Sequence, residues 1–441
     1  MGSDGTGARI TVVGLGYVGL VAAACLAEMG NRVVGLETNA AYLKNLRAGR
    51  IPFHEPGLEE LTAEQLAAGR LSHTGDPAEG VRGSEFIFLA VGTPKHSDGQ
   101  ADLSQIESAV EQIAEFLEPD AVVVIKSTVP VRTAERVRVL IQGVRGPEFR
   151  VRLISNPEFL QQGRAIESFL RPDRIVLGGD PDAVDRVAGL YAGIDAPILK
   201  TDHETAAMIK YASNAILATR ISFVNEMAKL CDTVGVDFLT VAEGMGLDHR
   251  INPLFMSPGP GFGGSCFPKD VNALVAMGVE HGVDMILLKE VLRVNHRQPR
   301  YVYNKLRAKV GDVKGRTIAL LGLSFKANTD DVRESPAIDL ARILLSAGAV
   351  VRVYDPRAEE KGALVLPAVH YDPDPYQAAS GADAVVICTE WQEFRDLDLD
   401  RLRERLASPV LIDARNILNP ESAARHGLRY TGIGRGIDPV T

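Results

Sequence analysis

The tightest constraint on this chain is a glycine turn set between a β-branched run and a run of small apolar residues. Residues 10–13 lead directly into GLGYVG, so Gly14, Gly16 and Gly19 stand in G-x-G-x-x-G spacing, with Tyr17 and Val18 inside the motif. The VAAACLAEMG that follows suits a helix packed on a sheet, and RVVGLE reads as a second strand closing on Glu37. Glycines at this spacing let the backbone approach a pyrophosphate, whose charge is held by backbone N–H groups and the positive end of the helix. An acid about twenty residues after the turn accepts hydrogen bonds from a ribose 2′-hydroxyl and repels a 2′-phosphate. The unit predicts a dinucleotide site that prefers NAD to NADP.

By length alone, residues 10–36 resemble a membrane helix, but the run holds five glycines together with Glu28, Asn31 and Arg32. The opening MGSDGTGARI lacks the basic start and short apolar core of a signal peptide. No membrane association and a cytoplasmic location are expected. Asp and Glu outnumber Lys and Arg by 57 to 48, which argues against coating nucleic acid and requires an anionic substrate to find a local basic pocket. Cys25, Cys231, Cys266 and Cys388 show neither CxxC nor metal-ligand spacing, so they read as reduced thiols with no metal site.

A chain of 441 residues exceeds what one hydrophobic core usually supports. Buried-strand runs at EFIFLAV, AVVVI, 153–155 and 175–177 alternate with helical stretches, the pattern of a mostly parallel α/β sheet. Residues 202–234 then form one long helical segment without Pro or Gly. The loop SPGPGFGGSC interrupts before helical patterning resumes near Pro268 and runs, with breaks, to about Val310. Beyond Gly311 and Gly315, RTIALLGLSFK, VVRVYDP, ADAVVICTE and PVLIDARN make a second α/β unit on the same plan, without a clear sequence repeat.

Cys266 follows Gly263 and Gly264 and precedes Pro268, a residue favoured in the first turn of a helix. Its sulfur is therefore expected near a helix N-terminus, where Lys269 and the helix dipole favour thiolate. Asp270, four residues on, reaches the same face as a base or water-orienting group. Lys210 and Asn214, spaced i, i+4 in the apolar stretch MIKYASNAILA, face one site. Thr93 of VGTP, Thr128 of STVP and Glu158 of NPEFL each follow a predicted strand, at the carboxyl edge where ligands bind such sheets.

GLGYVG, VGTP, STVP, NPEFL, IKYASNA, GFGGSCFPKD and FKANTDDVRES occur in one order along nearly the whole chain. In this the chain closely resembles the UDP-glucose/GDP-mannose dehydrogenase family. The resemblance implies an α/β fold of two Rossmann-like parallel-sheet domains, 1–200 and 311–441, joined by a long central helix and a helical dimerisation region, 201–310. It places NAD on the first domain and a nucleotide sugar between the domains. Cys266 is then the nucleophile, Lys210 and Asn214 stabilise oxyanions, and Glu158, Thr128 and Asp270 position or activate water. Tyr17, Val18, Thr93, Thr128, Gln162 and Arg333 join the glycines and Glu37 at the cofactor. The nucleotide sugar lies against Phe159, Leu160, Phe325, Lys326 and the loop 255–263, which includes Phe255, Phe262 and Gly263, with Arg415 at the far side. Arg250 reaches a neighbouring subunit's site, which implies a homodimer or larger assembly.

The sequence departs from the family pattern at Gln162, where many members carry Glu, at Glu37 for Asp, and at Ser257 for Asn or Lys. Within the family, IKYASNAILATRISFVNEMAKLCDTVG and ICTEWQEF are most similar to members that oxidise UDP-glucose twice, to UDP-glucuronate. Spacing does not choose among this sugar, dTDP-glucose, GDP-mannose and a UDP-N-acetylhexosamine. A noncatalytic nucleotide-sugar or NAD-binding relative is expected to have lost Cys266 or Lys210, and both are present.

Overall fold

The β-branched runs become strands that pair almost wholly in parallel. The computed structural model describes residues 7–96 and 98–436. Residues 1–6, on which part of the leader expectation rests, lie outside them. The chain divides into two units, Met1–Ser213 with Asn272–Met277, and Asn214–Val271 with Gly278–Thr441.

The first unit holds β1 (Arg9–Val13), β2 (Arg32–Leu36), β3 (Leu71–Thr74), β4 (Phe86–Leu89), β5 (Val122–Ile125), β6 (Arg152–Ser155), β7 (Ile175–Gly179) and β8 (Ile198–Thr201). They lie in the order 3-2-1-4-5-6-7-8. β6 and β7 run antiparallel, and the other neighbours run parallel. FIFL of β4 and VVVI of β5 are buried throughout, as expected where helices cover both faces of a sheet. The edge strands β3 and β8, LSHT and ILKT, were not anticipated, because edges are short and polar and lack the continuous apolar signal.

The first helix, Tyr17–Glu28, is buried from Gly19 to Ala27. It packs against β1, β2 and the helices Leu58–Ala67 and Ala165–Leu170, an enclosure that its small side chains permit. The membrane-length run is thus β1, this helix and β2. Among the described residues no helix is long and apolar enough to cross a membrane.

The long helix, His203–Val234, has 32 residues and a length of roughly 48 Å at 1.5 Å per residue. It runs from the first unit into the second, where Val224, Ala228 and Cys231 enter the core. Buried Asp232 accepts hydrogen bonds from Lys305 Nζ (2.6 Å), Gly434 N (2.9 Å) and the Tyr301 hydroxyl. The break in the following helical pattern falls between Phe267–Glu280 and Ile286–Val310, and Pro299 sits inside the latter without ending it.

The second sheet comprises β9 (Thr317–Leu321), β10 (Val350–Tyr354), β11 (His370–Tyr371), β12 (Ala384–Ile387), β13 (Val410–Asp413) and β14 (Arg429–Gly432). All pairs are parallel, in the order 11-10-9-12-13-14, which repeats the order of the first six strands of the first sheet. Each sheet therefore has a switch point, between β1 and β4 and between β9 and β12, where loops diverge and ligands bind.

Candidate active site

Candidate residues fall into two groups, one in each unit. At the turn after β1, Gly14 adopts φ +84°, in the left-handed region, and a β-carbon on Gly19 would stand 1.8 Å from the Gly14 carbonyl oxygen. No larger residue fits at Gly19. Gly16 differs, because the place of its missing side chain is open, with no atom of the described residues within 4 Å. Such an exposed backbone at the head of a helix suits the close approach of a pyrophosphate. Glu37 is oriented by the turn itself, its Oε2 accepting from Leu15 N (3.2 Å) and its Oε1 from Asn39 N (2.8 Å), and its remaining lone pairs suit ribose hydroxyls. These residues fit a dinucleotide. Val18 is half-buried beside the turn. The Tyr17 hydroxyl donates to Glu55, a buried carboxylate that also accepts from Gly163 N (2.6 Å) and Ala165 N (2.7 Å). Glu55 thereby ties the turn to the loop carrying Gln162, a role that sequence reasoning missed because its partners lie over a hundred residues away.

The loops after β4 and β5 are joined where Thr93 Oγ1 donates to the Thr128 carbonyl (2.9 Å) and Ser127 Oγ to the Val91 carbonyl (2.6 Å). Glu158 is buried after β6. Its Oε2 accepts from Leu160 N (2.6 Å), closing the NPEFL turn, and its Oε1 lies 3.2 Å from Lys210 Nζ. That ammonium stands 5.2 Å from the centre of the Phe159 ring, over which Arg174 also lies at 3.9 Å. A buried pair of this kind adds little net stability, since desolvation opposes the Coulomb attraction. It does hold an ammonium in a low-dielectric setting where it acts strongly on nearby charge.

In the second unit, Cys266 immediately precedes the helix Phe267–Glu280, and its carbonyl accepts from Asp270 N (2.8 Å), the first bond of that helix. The thiol is partly exposed, whereas Cys25, Cys231 and Cys388 are buried. Asp270 is buried, accepting from Lys269 Nζ at Oδ1 and from Asn214 Nδ2 at Oδ2, each at 2.6 Å. The glycine loop before Cys266 is pressed onto the segment after β9. A β-carbon on Gly263 would meet the Glu334 carbonyl oxygen at 2.2 Å, and one on Gly264 would meet the Phe325 ring at 2.8 Å. Gly264 N donates to the Arg333 carbonyl (2.9 Å). Phe262 exchanges two hydrogen bonds with the Asn295 side chain and sets its ring edge-on to Phe267.

Arg333 forks onto Asp331 at 2.8 and 2.6 Å; those bonds raise its pKa most, with Cys266 a smaller contribution in the same direction. The Arg415 guanidinium donates to the carbonyls of Cys388 and Phe325, each at 2.9 Å, and pairs with Glu390 at 3.1 Å. Lys326 Nζ lies 5.8 Å from the Phe325 ring. Arg250 and Phe255 are on the surface, Arg250 held by Asp248 at 2.5 Å and Phe255 at φ +60°.

A doubly wound sheet with an open glycine turn and an acid at the second strand is the arrangement found in NAD-dependent dehydrogenases, and the second unit carries a thiol at a helix head. Family models match the UDP-glucose/GDP-mannose dehydrogenase NAD binding domain over residues 8–195, the central domain over 204–297 and the UDP binding domain over 319–420. The chain belongs to the UDP-glucose/GDP-mannose dehydrogenase family. It is 45% identical to a UDP-glucose 6-dehydrogenase of Rhizobium meliloti, covering 97% of this chain and 99% of the relative. The structure of a UDP-glucose dehydrogenase from Pyrobaculum islandicum aligns with TM-score 0.91 at 40% identity, covering 98% of this chain and 99% of that one. A UDP-D-ManNAc dehydrogenase from Pyrococcus horikoshii aligns with TM-score 0.86 at 29% identity, covering 97% and 99%.

Proposed function

We propose that the chain oxidises UDP-glucose to UDP-glucuronate in two NAD-dependent steps, with Cys266 as covalent catalyst. The observation that carries this reading is the Asn214–Asp270 hydrogen bond of 2.6 Å, which ties the turn of the long helix next to Lys210 to the helix that Cys266 begins. The Gly14–Gly19 turn and Glu37 would hold NAD, which when bound would supply the hydride acceptor for each oxidation.

The first oxidation removes a hydride and a proton from the primary alcohol at C6 and leaves an aldehyde. An aldehyde has no second hydride to give in the required sense until a nucleophile adds. The Cys266 thiolate attacks the carbonyl carbon, and the oxygen takes up the negative charge of a thiohemiacetal. The Lys210 ammonium and the Asn214 amide hold that oxyanion, interactions stronger in the transition state than in the ground state. Loss of the second hydride leaves a thioester. Asp270, with Glu158 and Thr128, orients and activates the water that displaces the thiolate and yields the carboxylate.

Arg415, Phe325, Lys326, Phe262, Gly263, Phe159 and Leu160 bind the nucleotide sugar, and Thr93, Gln162 and Arg333 contribute at the cofactor. UDP-glucose is preferred to the other nucleotide sugars because the full-length relatives at 42–45% identity carry that substrate in their names. Four thiols fit a reducing, cytoplasmic compartment. Ile216, Phe223 and Leu230 recur every seven residues on the long helix and are 59%, 46% and 53% exposed, a stripe that fits the face of a second copy in a homodimer.

The test is stoichiometric. With NAD in excess and limiting UDP-glucose, dTDP-glucose, GDP-mannose or UDP-N-acetylhexosamine, two NADH per sugar are expected with UDP-glucose. One NADH would mean that the aldehyde escapes, and two only with another sugar would move the substrate assignment while leaving the mechanism.

A further inference from the structure

Lys126, the last residue of IK before STVP, is buried in the first unit and plays no part in the mechanism above. Its Nζ donates to Asn156 Oδ1 (3.0 Å) and lies 5.6 and 6.0 Å from the ring centres of Phe169 and Tyr191. The Tyr191 hydroxyl donates to the same Asn156 oxygen (2.8 Å), and Asn156 Nδ2 donates to the Val176 carbonyl (2.9 Å). Three bonds thus fix the side chain that opens the NPEFL turn, two residues before Glu158. A solvent-open cavity of about 30 Å³ is lined in part by Lys126, Asn156, Phe159, Leu160 and Arg174. Lys126 itself is 6% exposed, so its charge is solvated mainly by protein.

We infer that Lys126 is a positioning residue for the oxidation: it clamps Asn156 and so aims the turn carrying Glu158, and its fixed charge acts on the buried Glu158–Lys210 pair. This rests on the reading that Glu158 and Lys210 take part in the reaction. The charged groups that face it are Glu158 and Lys210, with Arg174 across the cavity. Burial pulls the Lys126 pKa down to about 8, Glu158 opposes that fall and Lys210 adds to it. By reciprocity, the Lys126 charge favours ionised Glu158 and disfavours protonated Lys210. Removing it therefore moves the acid limit of turnover upward, whereas the alkaline limit is read above the pH at which Lys126 has itself lost its charge.

The experiment compares kcat and KM against pH for wild type, K126M and K126R, with E158Q and K210A as controls. For K126M, kcat is expected to fall about tenfold with KM for UDP-glucose within about threefold, and the acid limb of log kcat to move up by about half to one pH unit. K126R keeps the charge and should restore the position of the acid limb. A packing role alone lowers kcat without moving the acid limb, and that result in K126M overturns the inference. Should K126M not fold, the comparison of wild type with K126R decides. An acid limb of K126R displaced from the wild-type position overturns the inference, because the arginine keeps the charge beside Asn156 and Glu158. Turnover at the wild-type rate in E158Q and K210A would instead remove the site assignment on which it rests, whereas impaired controls with an unmoved K126M acid limb remove the role of Lys126 alone.

Discussion

Cys266 differs from the other three cysteines in where the backbone puts it. Burial pushes the Cys25 and Cys388 thiols up to about 12, so neither supplies thiolate near neutral pH. Cys266 is partly exposed at the head of a helix, one turn from Asp270. Cys266→Ser should lower turnover by at least about a hundredfold while an ester or aldehyde-level adduct accumulates, visible in the intact mass. Ordinary multiple turnover without an adduct would refute covalent catalysis. Residues of this kind were legible in the sequence because their neighbours announce them, two glycines and a proline around Cys266, a strand and a helix around Gly14–Gly19, a helical spacing for Lys210 and Asn214. Glu55 and Lys126 were not legible. Their roles come from partners far along the chain, Gly163 and Ala165 for one and Asn156 and Tyr191 for the other.

The long helix was legible as an element, since no Gly or Pro interrupts it, and its two faces have different fates. Val224, Ala228 and Cys231 are buried in the second unit, while Ile216, Phe223 and Leu230 stay exposed. Residues seven apart lie about 10 Å apart along a helix axis, so the three form a straight apolar stripe. Covering each is worth roughly 1.5–3 kcal/mol. Phe223→Glu should therefore shift the proposed dimer toward monomer in sedimentation equilibrium at micromolar concentration. A mass unchanged from wild type would show that this face is not the interface. The edge strands β3, β8, β11 and β14 escaped the sequence reading for the opposite reason, being two to four residues long and carrying polar side chains.

For the whole molecule, buried neutral histidines set a limit in acid. His73 on β3 is buried, neither ring nitrogen has a hydrogen-bond partner among the described residues, and burial, helped by Arg47, lowers its pKa to about 4. The unfolded chain, with an ordinary imidazole, binds the proton more tightly, so stability is present above about pH 6.5 and is lost as pH falls toward 4. His203 is shifted the same way, chiefly by burial. The His73 contribution is of order 3 kcal/mol by linkage. In urea titrations, His73→Leu should lose less stability than wild type between pH 7 and 4.5, and equal losses would exclude this histidine as a cause. The sequence by itself determined the parallel α/β plan, the dinucleotide turn and the place of one thiol before a helix, because glycine spacing, β-branched runs and helix-start chemistry act locally. The tertiary structure alone decided that the second sheet repeats the strand order of the first, and which buried groups hold Glu158, Asp270 and Asn156. Those arrangements depend on burial and on hydrogen bonds between segments far apart in the chain, which no local pattern encodes.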